Sequence, residues 1–140
     1  MVDHRLTSAV GSFFVLRGHV SREPIAIWLS FDEAPPYRFA GASDGWHFLV
    51  DAKPPIEVDM QESGTIRLRD MGASEPFCNS INSCLRQGWV ITSASPEDII
   101  GVRFDFDHSV VRILNWGDEI HVAAELPSDA KADEIREWPI

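Results

Sequence analysis

The chain has 140 residues, with 12 Lys and Arg against 22 Asp and Glu, a formal charge of −10 and 44% apolar residues. It is too apolar for a disordered chain and, with 2 Cys, too poor in cysteine for a disulfide scaffold. It is also too acidic for the basic face that nucleic-acid binding needs, and no apolar run reaches the ~18 residues of a membrane span.

The start, Met1-Val2-Asp3-His4-Arg5-Leu6, lacks the basic region, apolar core and small-residue site of a secretory signal. A single cytoplasmic domain over residues 1–140 is expected. A short helical or irregular segment is expected near 4–11, then strands at about 12–20, 25–32, 37–41 and 46–51. Ile25, Ile27, Leu29 and Phe31 claim one face of the second strand, which leaves Trp28 with Ala26 and Ser30 on the other. Trp28 is there either an interface anchor or a residue covered by a further layer. Trp46 and Trp89 fall on core-facing positions, while Pro35-Pro36 and Pro54-Pro55 mark loops within the domain.

A hairpin is expected over 56–70, with Gly64 at positive φ in its loop. Its register sets Met60 opposite Ile66, Val58 opposite Leu68, Asp59 opposite Arg67 and Glu57 opposite Arg69. A second short helical or irregular segment follows near 78–87. Cys78 and Cys84, spaced C-x5-C, fit neither a redox pair nor a common zinc knuckle and read as two reduced thiols. Strands are expected at 88–94, 99–106, 110–115 and 119–124. Along 99–107, Ile100, Val102, Phe104 and Phe106 share one face, with Arg103, Asp105 and Asp107 on the other, the pattern of an antiparallel sheet wet on one side. The tail 128–138 reads as a short helix, with Ser128 as N-cap, a sparse stripe of Ala132, Ile135 and Trp138, and Trp138-Pro139 ending it.

Shifted by 75, the chain matches itself. Ile25, Ile27, Leu29, Phe31 and Asp32 meet Ile100, Val102, Phe104, Phe106 and Asp107, and Phe14-Val15-Leu16 meets Trp89-Val90-Ile91. At an offset of 74, Arg38-Phe39 meets Arg112-Ile113 and His47 meets His121. The expected architecture is α+β: a mostly antiparallel sheet of two pseudo-repeats, about 4–51 and 78–124, with two or three short helices.

Nucleotide-binding loops, metalloprotease motifs and nucleophile elbows are absent, so no cofactor is expected. Asp105 and Asp107 share a strand face and would need Asp118, Glu119 or His121 to complete a metal site. Asp107-His108-Ser109 reads equally as a tight turn beside a solvated face. His47 and His121, placed alike in the two units, pair for a metal or a pH response, or stand as two surface residues.

The acid is unevenly spread. Residues 1–96 hold 8 basic and 11 acidic side chains, and residues 97–140 hold 4 and 11. That excess serves solubility or a basic partner, and Asp98, Asp105, Asp107, Asp118 and Glu119, with Trp28, are the candidate partner-binding residues. The run Gly101-Val102-Arg103-Phe104-Asp105-Phe106-Asp107 leading to Leu114-Asn115-Trp116-Gly117-Asp118-Glu119 resembles the small acidic immunity proteins that bacteria carry against polymorphic or contact-dependent toxins. The resemblance implies a non-catalytic cytosolic protein that covers the active site of a basic toxin, often a nuclease domain. It carries over no individual residue role. The alternative is a small-ligand or metal-dependent enzyme with a pocket between the pseudo-repeats.

Overall fold

Alternating apolar and polar residues decide this fold, and almost nothing in it is helical. The computed structural model describes residues 2–93, 98–130 and 134–140, which form two antiparallel sheets. The first holds β1 (Leu6–Leu16), β2 (His19–Val20), β3 (Ala26–Phe31), β4 (Tyr37–Gly41), β5 (Phe48–Asp51), β6 (Val58–Asp59) and β7 (Thr65–Asp70), ordered β5-β4-β3-β1-β7-β6 with β2 beside β1. The second holds β8 (Leu85–Thr92), β9 (Ile99–Phe106), β10 (Val110–Trp116), β11 (Glu119–Ala123) and β12 (Arg136–Pro139), ordered β11-β10-β9-β8-β12.

Each sheet follows one plan. Four strands form a meander, a strap then crosses the outer face, and a return strand pairs with the free edge of the first strand, in the manner of a Greek key. Over the first sheet the strap passes Trp28, whose Nε1 donates to the Lys53 carbonyl at 2.8 Å. Over the second, Arg112 donates to the Ala124 carbonyl and Trp116 Nε1 to Asp129 Oδ1 at 2.9 Å.

The inner faces meet in a single core built from Leu6, Ala9, Ile27, Leu29, Phe31 and Phe39 of the first sheet with Leu85, Phe104, Phe106, Val111, Ile113 and Ile120 of the second. Phe104 reaches across to both Phe31 and Phe39, with ring centroids 6.2 and 5.8 Å away. Each such buried side chain contributes about 1.5–3 kcal/mol by leaving water. The β10–β11 connection is Gly117-Asp118, both at positive φ (61° and 63°), the backbone a type I′ hairpin requires.

The expected α+β class is overturned. Strands make up 53% of the described residues against 5% helix, and those helical residues lie in two 3₁₀ turns, Gln61–Ser63 and Phe77–Asn79. Leu6, Ala9 and Val10 have helical spacing, yet they lie in β1. A bulge between Leu6 and Ser8 shifts the strand's phase, so Leu6 and Ala9 both face the core. β8 carries a corresponding irregularity between Leu85 and Gln87.

The expected C-terminal helix over 128–138 is also replaced. Residues 131–133, with Ala132 of its stripe, lie outside the described residues, but Arg136–Pro139 is strand β12, paired to β8 from Arg136↔Thr92 to Pro139↔Trp89. Pro139, which cannot donate to a ladder, is tolerated because β12 is an edge strand. Ile135 is 6% exposed and packs with Ile91, Ile100 and Leu114 on the outer face of the second sheet.

Two smaller expectations change. The 56–70 hairpin pairs Val58 with Ile66 and Asp59 with Thr65, two residues out of the expected register, and Glu57 reaches Arg67 at 3.7 Å. An even slip keeps every side chain on its face, so the alternation was equally satisfied by both registers. Neither Trp46 nor Trp89 is core-facing: Trp46 lies in the turn before β5 and is 54% exposed, and Trp89 pairs with Arg103 on the outer face of the second sheet.

Candidate functional site

Three of the expected partner-binding carboxylates are held by neighbours within the chain. Asp105 accepts from Arg103 at 2.7 and 3.1 Å and from Trp89 Nε1 at 2.9 Å, while the Arg103 guanidinium stacks 4.8 Å over the Trp89 ring. Asp107 accepts from Arg86 Nε at 2.5 Å, and that hydrogen bond holds its pKa below the usual carboxylate value. Asp98 accepts from Ser93 Oγ and lies 3.3 Å from His47 Nε2. The wet face read along β9 is thus a charge-balanced face. Glu137 of β12 completes it, accepting from Arg103 at 3.2 Å and from Arg112 at 2.9 and 3.1 Å.

Trp28 is 6% exposed, buried under the strap with Ala26 and Ala40, which removes it as an exposed anchor. Of its two readings, the covering layer is the one the fold realises.

Asp118 and Glu119 differ from the other three carboxylates. They form the β10–β11 hairpin tip, and neither makes an ion pair among the described residues. They line a cleft of about 360 Å3 with Arg22, Glu23, Pro24 and Ile25 of the β2–β3 loop. A second hollow of about 210 Å3 shares Glu23, Glu119 and Ile120 with it and adds Trp116, His121 and Asp129. Together they make one groove along the end of the sandwich. Its lining carries Glu23, Asp118, Glu119 and Asp129 against Arg22, with Ile25, Ile120 and Trp116 as its apolar part. A lining of acidic and apolar side chains suits an extended segment that presents Lys or Arg between apolar side chains.

The groove brings together residues from both sheets, which is why Glu23 and Asp129 escaped the sequence reading. Glu23 lies outside the acidic stretch, and Asp129 falls in the 128–138 segment whose pattern reads as helix. The one available signal was the cluster of turn-forming residues at Ser21-Arg22-Glu23-Pro24 and Pro127-Ser128-Asp129.

His47 and His121 do not converge. His47 lies between Asp44 and Asp98. His121 pairs with Leu114 on the outer face of the second sheet and is hydrogen-bonded to the Glu125 carbonyl at 3.3 Å. Among the described residues no three His, Cys, Asp or Glu side chains are arranged to hold a metal ion. A cavity of about 860 Å3 lies between residues 75–79 and the β9–β10 turn and is lined by Asp105, Asp107, His108 and Ser109. Its hydroxyl is occupied: Ser109 Oγ is 2.8 Å from Ser80 Oγ and 3.3 Å from the Asn79 carbonyl. No helix among the described residues is long and apolar enough to cross a membrane.

Comparison with protein-family models, with curated proteins and with solved structures found no match.

Proposed function

We propose that the protein is a non-catalytic binding module that captures a basic protein partner in the groove at the end of the sandwich, and that it acts as a cytosolic immunity protein by covering the active site of a cognate toxin. The observation that carries this reading is the set of carboxylates lining the groove. Asp105 and Asp107 are neutralised inside the chain by Arg103 and Arg86, whereas Asp118 and Glu119 stand without a described cation partner. Unpaired surface charge adds to the rate of encounter with an oppositely charged surface and fixes its orientation, at little cost in stability. The resemblance to small acidic immunity proteins agrees with this polarity.

The test is binding to the product of the adjacent gene, followed by surface plasmon resonance across a salt series. The double reversal Asp118→Lys with Glu119→Lys weakens binding about tenfold or more, chiefly through the association rate, and flattens the salt dependence. The melting temperature falls by no more than a few degrees, the cost of placing Lys at the left-handed backbone of Asp118. Binding that is unchanged by the reversal, or indifferent to salt, would defeat the proposal.

A further inference from the structure

His47 stands in the loop between β4 and β5 with a carboxylate at each ring nitrogen. Nδ1 lies 2.5 Å from Asp44 Oδ2, and Nε2 lies 3.3 Å from Asp98 Oδ1. A carboxylate only accepts, and a neutral imidazole carries a single N–H, so both contacts are hydrogen bonds only when the ring is imidazolium. The two acids belong to different parts of the molecule. Asp44 is in the same loop, where its Oδ1 accepts the backbone N–H groups of Trp46 and His47 at 2.8 and 2.9 Å. Asp98 directly precedes β9 in the other sheet and also accepts from Ser93 Oγ.

We propose that His47 is a proton-operated latch between the two sheets, closed when the ring is imidazolium and opened when it becomes neutral. Losing the proton leaves one nitrogen with a lone pair facing a carboxylate. Asp44, the nearer acid and part of the same loop, keeps the remaining N–H, so the tie that breaks is the one to Asp98.

The charged groups around the ring support this. Asp44 faces it from its own loop and Asp98 from the start of β9. Asp118 of the β10–β11 turn approaches the same loop, with its Oδ1 3.0 Å from where a Cβ on Gly45 would sit. His47 is the only cation within ion-pair distance of any of these three acids among the described residues. Among the described residues the one other hydrogen bond from the second sheet to this histidine, Asn115 Nδ2 to the His47 carbonyl at 3.2 Å, does not titrate and keeps the loop's base in place while its tip is released.

The hydrogen bonds to Asp44 and then Asp98 raise the histidine above its usual 6.5, and the same contact lowers Asp44 to about 2. A raised histidine adds its stabilisation below 6.5 and loses it as pH climbs through the raised value. A lowered aspartate adds its own above 3.8 and loses it as pH falls towards 2. The latch is therefore fully closed between about pH 4 and 6.5 and opens on the alkaline side. With the histidine side chain 45% exposed and Asp98 39% exposed, the tie is weak enough to respond to pH without threatening the fold.

The experiment follows the ring and the loop together by NMR in the full chain. The His47 titration midpoint lies above 6.5 in the parent and moves back towards it in Asp98→Asn. Amide protection factors over residues 42–48, which already correct for intrinsic exchange, fall as pH rises through that midpoint in the parent. In Asp98→Ala and His47→Ala, which remove the tie outright, they are low and independent of pH, and in His47→Arg, which cannot lose its charge in this range, they are independent of pH as well. A midpoint that Asp98→Asn leaves unmoved, or loop protection that is flat with pH in the parent, overturns the latch.

Discussion

On the outer face of the first sheet Trp28 lies opposite Arg38; at the matching place in the second sheet Arg103 lies opposite Arg112. The inner faces correspond closely: Ile27 pairs with Phe39 as Val102 pairs with Ile113, and Leu6 with Phe31 as Leu85 with Phe106. Two arginines directly opposite one another repel, so the second sheet needs acid where the first does not. Asp105 and Glu137 supply it, and Glu137 arrives on the return strand. In the first sheet Arg38 has Asp51 on the next strand, and the return strand β7 brings Ile66 and Leu68 to the outer face instead. One plan thus accepts either apolar or ionic closure of its outer layer, provided that strap and return strand match it.

The sharpest way to break what the sheets share is at Phe104, which touches both Phe31 and Phe39. Phe104→Ala is expected to cost about 3–5 kcal/mol in urea unfolding. The next largest effect separates the sheets. Gly101 occupies the place that Ala26 holds in the first, and a Cβ there would lie 2.4 Å from both the Ile113 carbonyl oxygen and Leu114 Cβ. Gly101→Ala should cost ~1–3 kcal/mol, whereas the mirrored change Ala26→Gly should cost roughly 0.5–1 kcal/mol from backbone freedom. Equal costs would show that the second sheet is no more crowded at Gly101 than the first is at Ala26.

Ionic closure comes next. Glu137→Ala removes the carboxylate that two guanidiniums, 22% and 15% exposed, share; Arg103 keeps Asp105 while Arg112 is left with the Ala124 carbonyl, for about 1–3 kcal/mol. Asp51→Asn in the first sheet releases one, for about 1 kcal/mol. Arg38 keeps the Asp51 pKa below 3.8, so its contribution is present above that pH and fades as pH falls through the lowered value, which an acid unfolding series on Asp51→Asn would reveal as a vanishing difference from the parent. Trp46→Ala, at an exposed turn, should change stability by less than ~0.5 kcal/mol.

Much of the meander could be read in advance. From Val102 onward β9 alternates as expected, although Ile100 packs on the outer face with Ile91 and Leu114, and Arg38-Phe39 does align with Arg112-Ile113. The first strands were harder: the sequence match set Phe14 against Trp89, while the pairings set Ala9 against Gly88, four residues away. Because a strand's pattern repeats every two residues, an even slip leaves inside and outside unchanged and a self-comparison cannot detect it. The same parity hid the hairpin register, and on the last strand it matched His47 to His121, although Ala40 and Leu114 pair with Leu49 and His121 respectively. The C-terminal strand was masked because Ala130 and Glu137 are good helix formers and Ala132, Ile135 and Trp138 have helical spacing. What decides their state is an unpaired β8 edge and two waiting arginines, both distant in the chain. At the site, a count of acids locates charge but not its neighbours, so Asp105 and Asp107 looked as available as Asp118.

The return strands also set an order of events. The meander strands join by short local turns, but β7 meets β1 through residues 50 to 60 apart (Val15 with Thr65, Val10 with Asp70), and β12 meets β8 over similar separations. Closing such loops costs entropy before any ladder bond forms. The two meanders are therefore expected to assemble first and the two seams, β1–β7 and β8–β12, to zip last. In native hydrogen exchange the short β12 should open well before the core strands do.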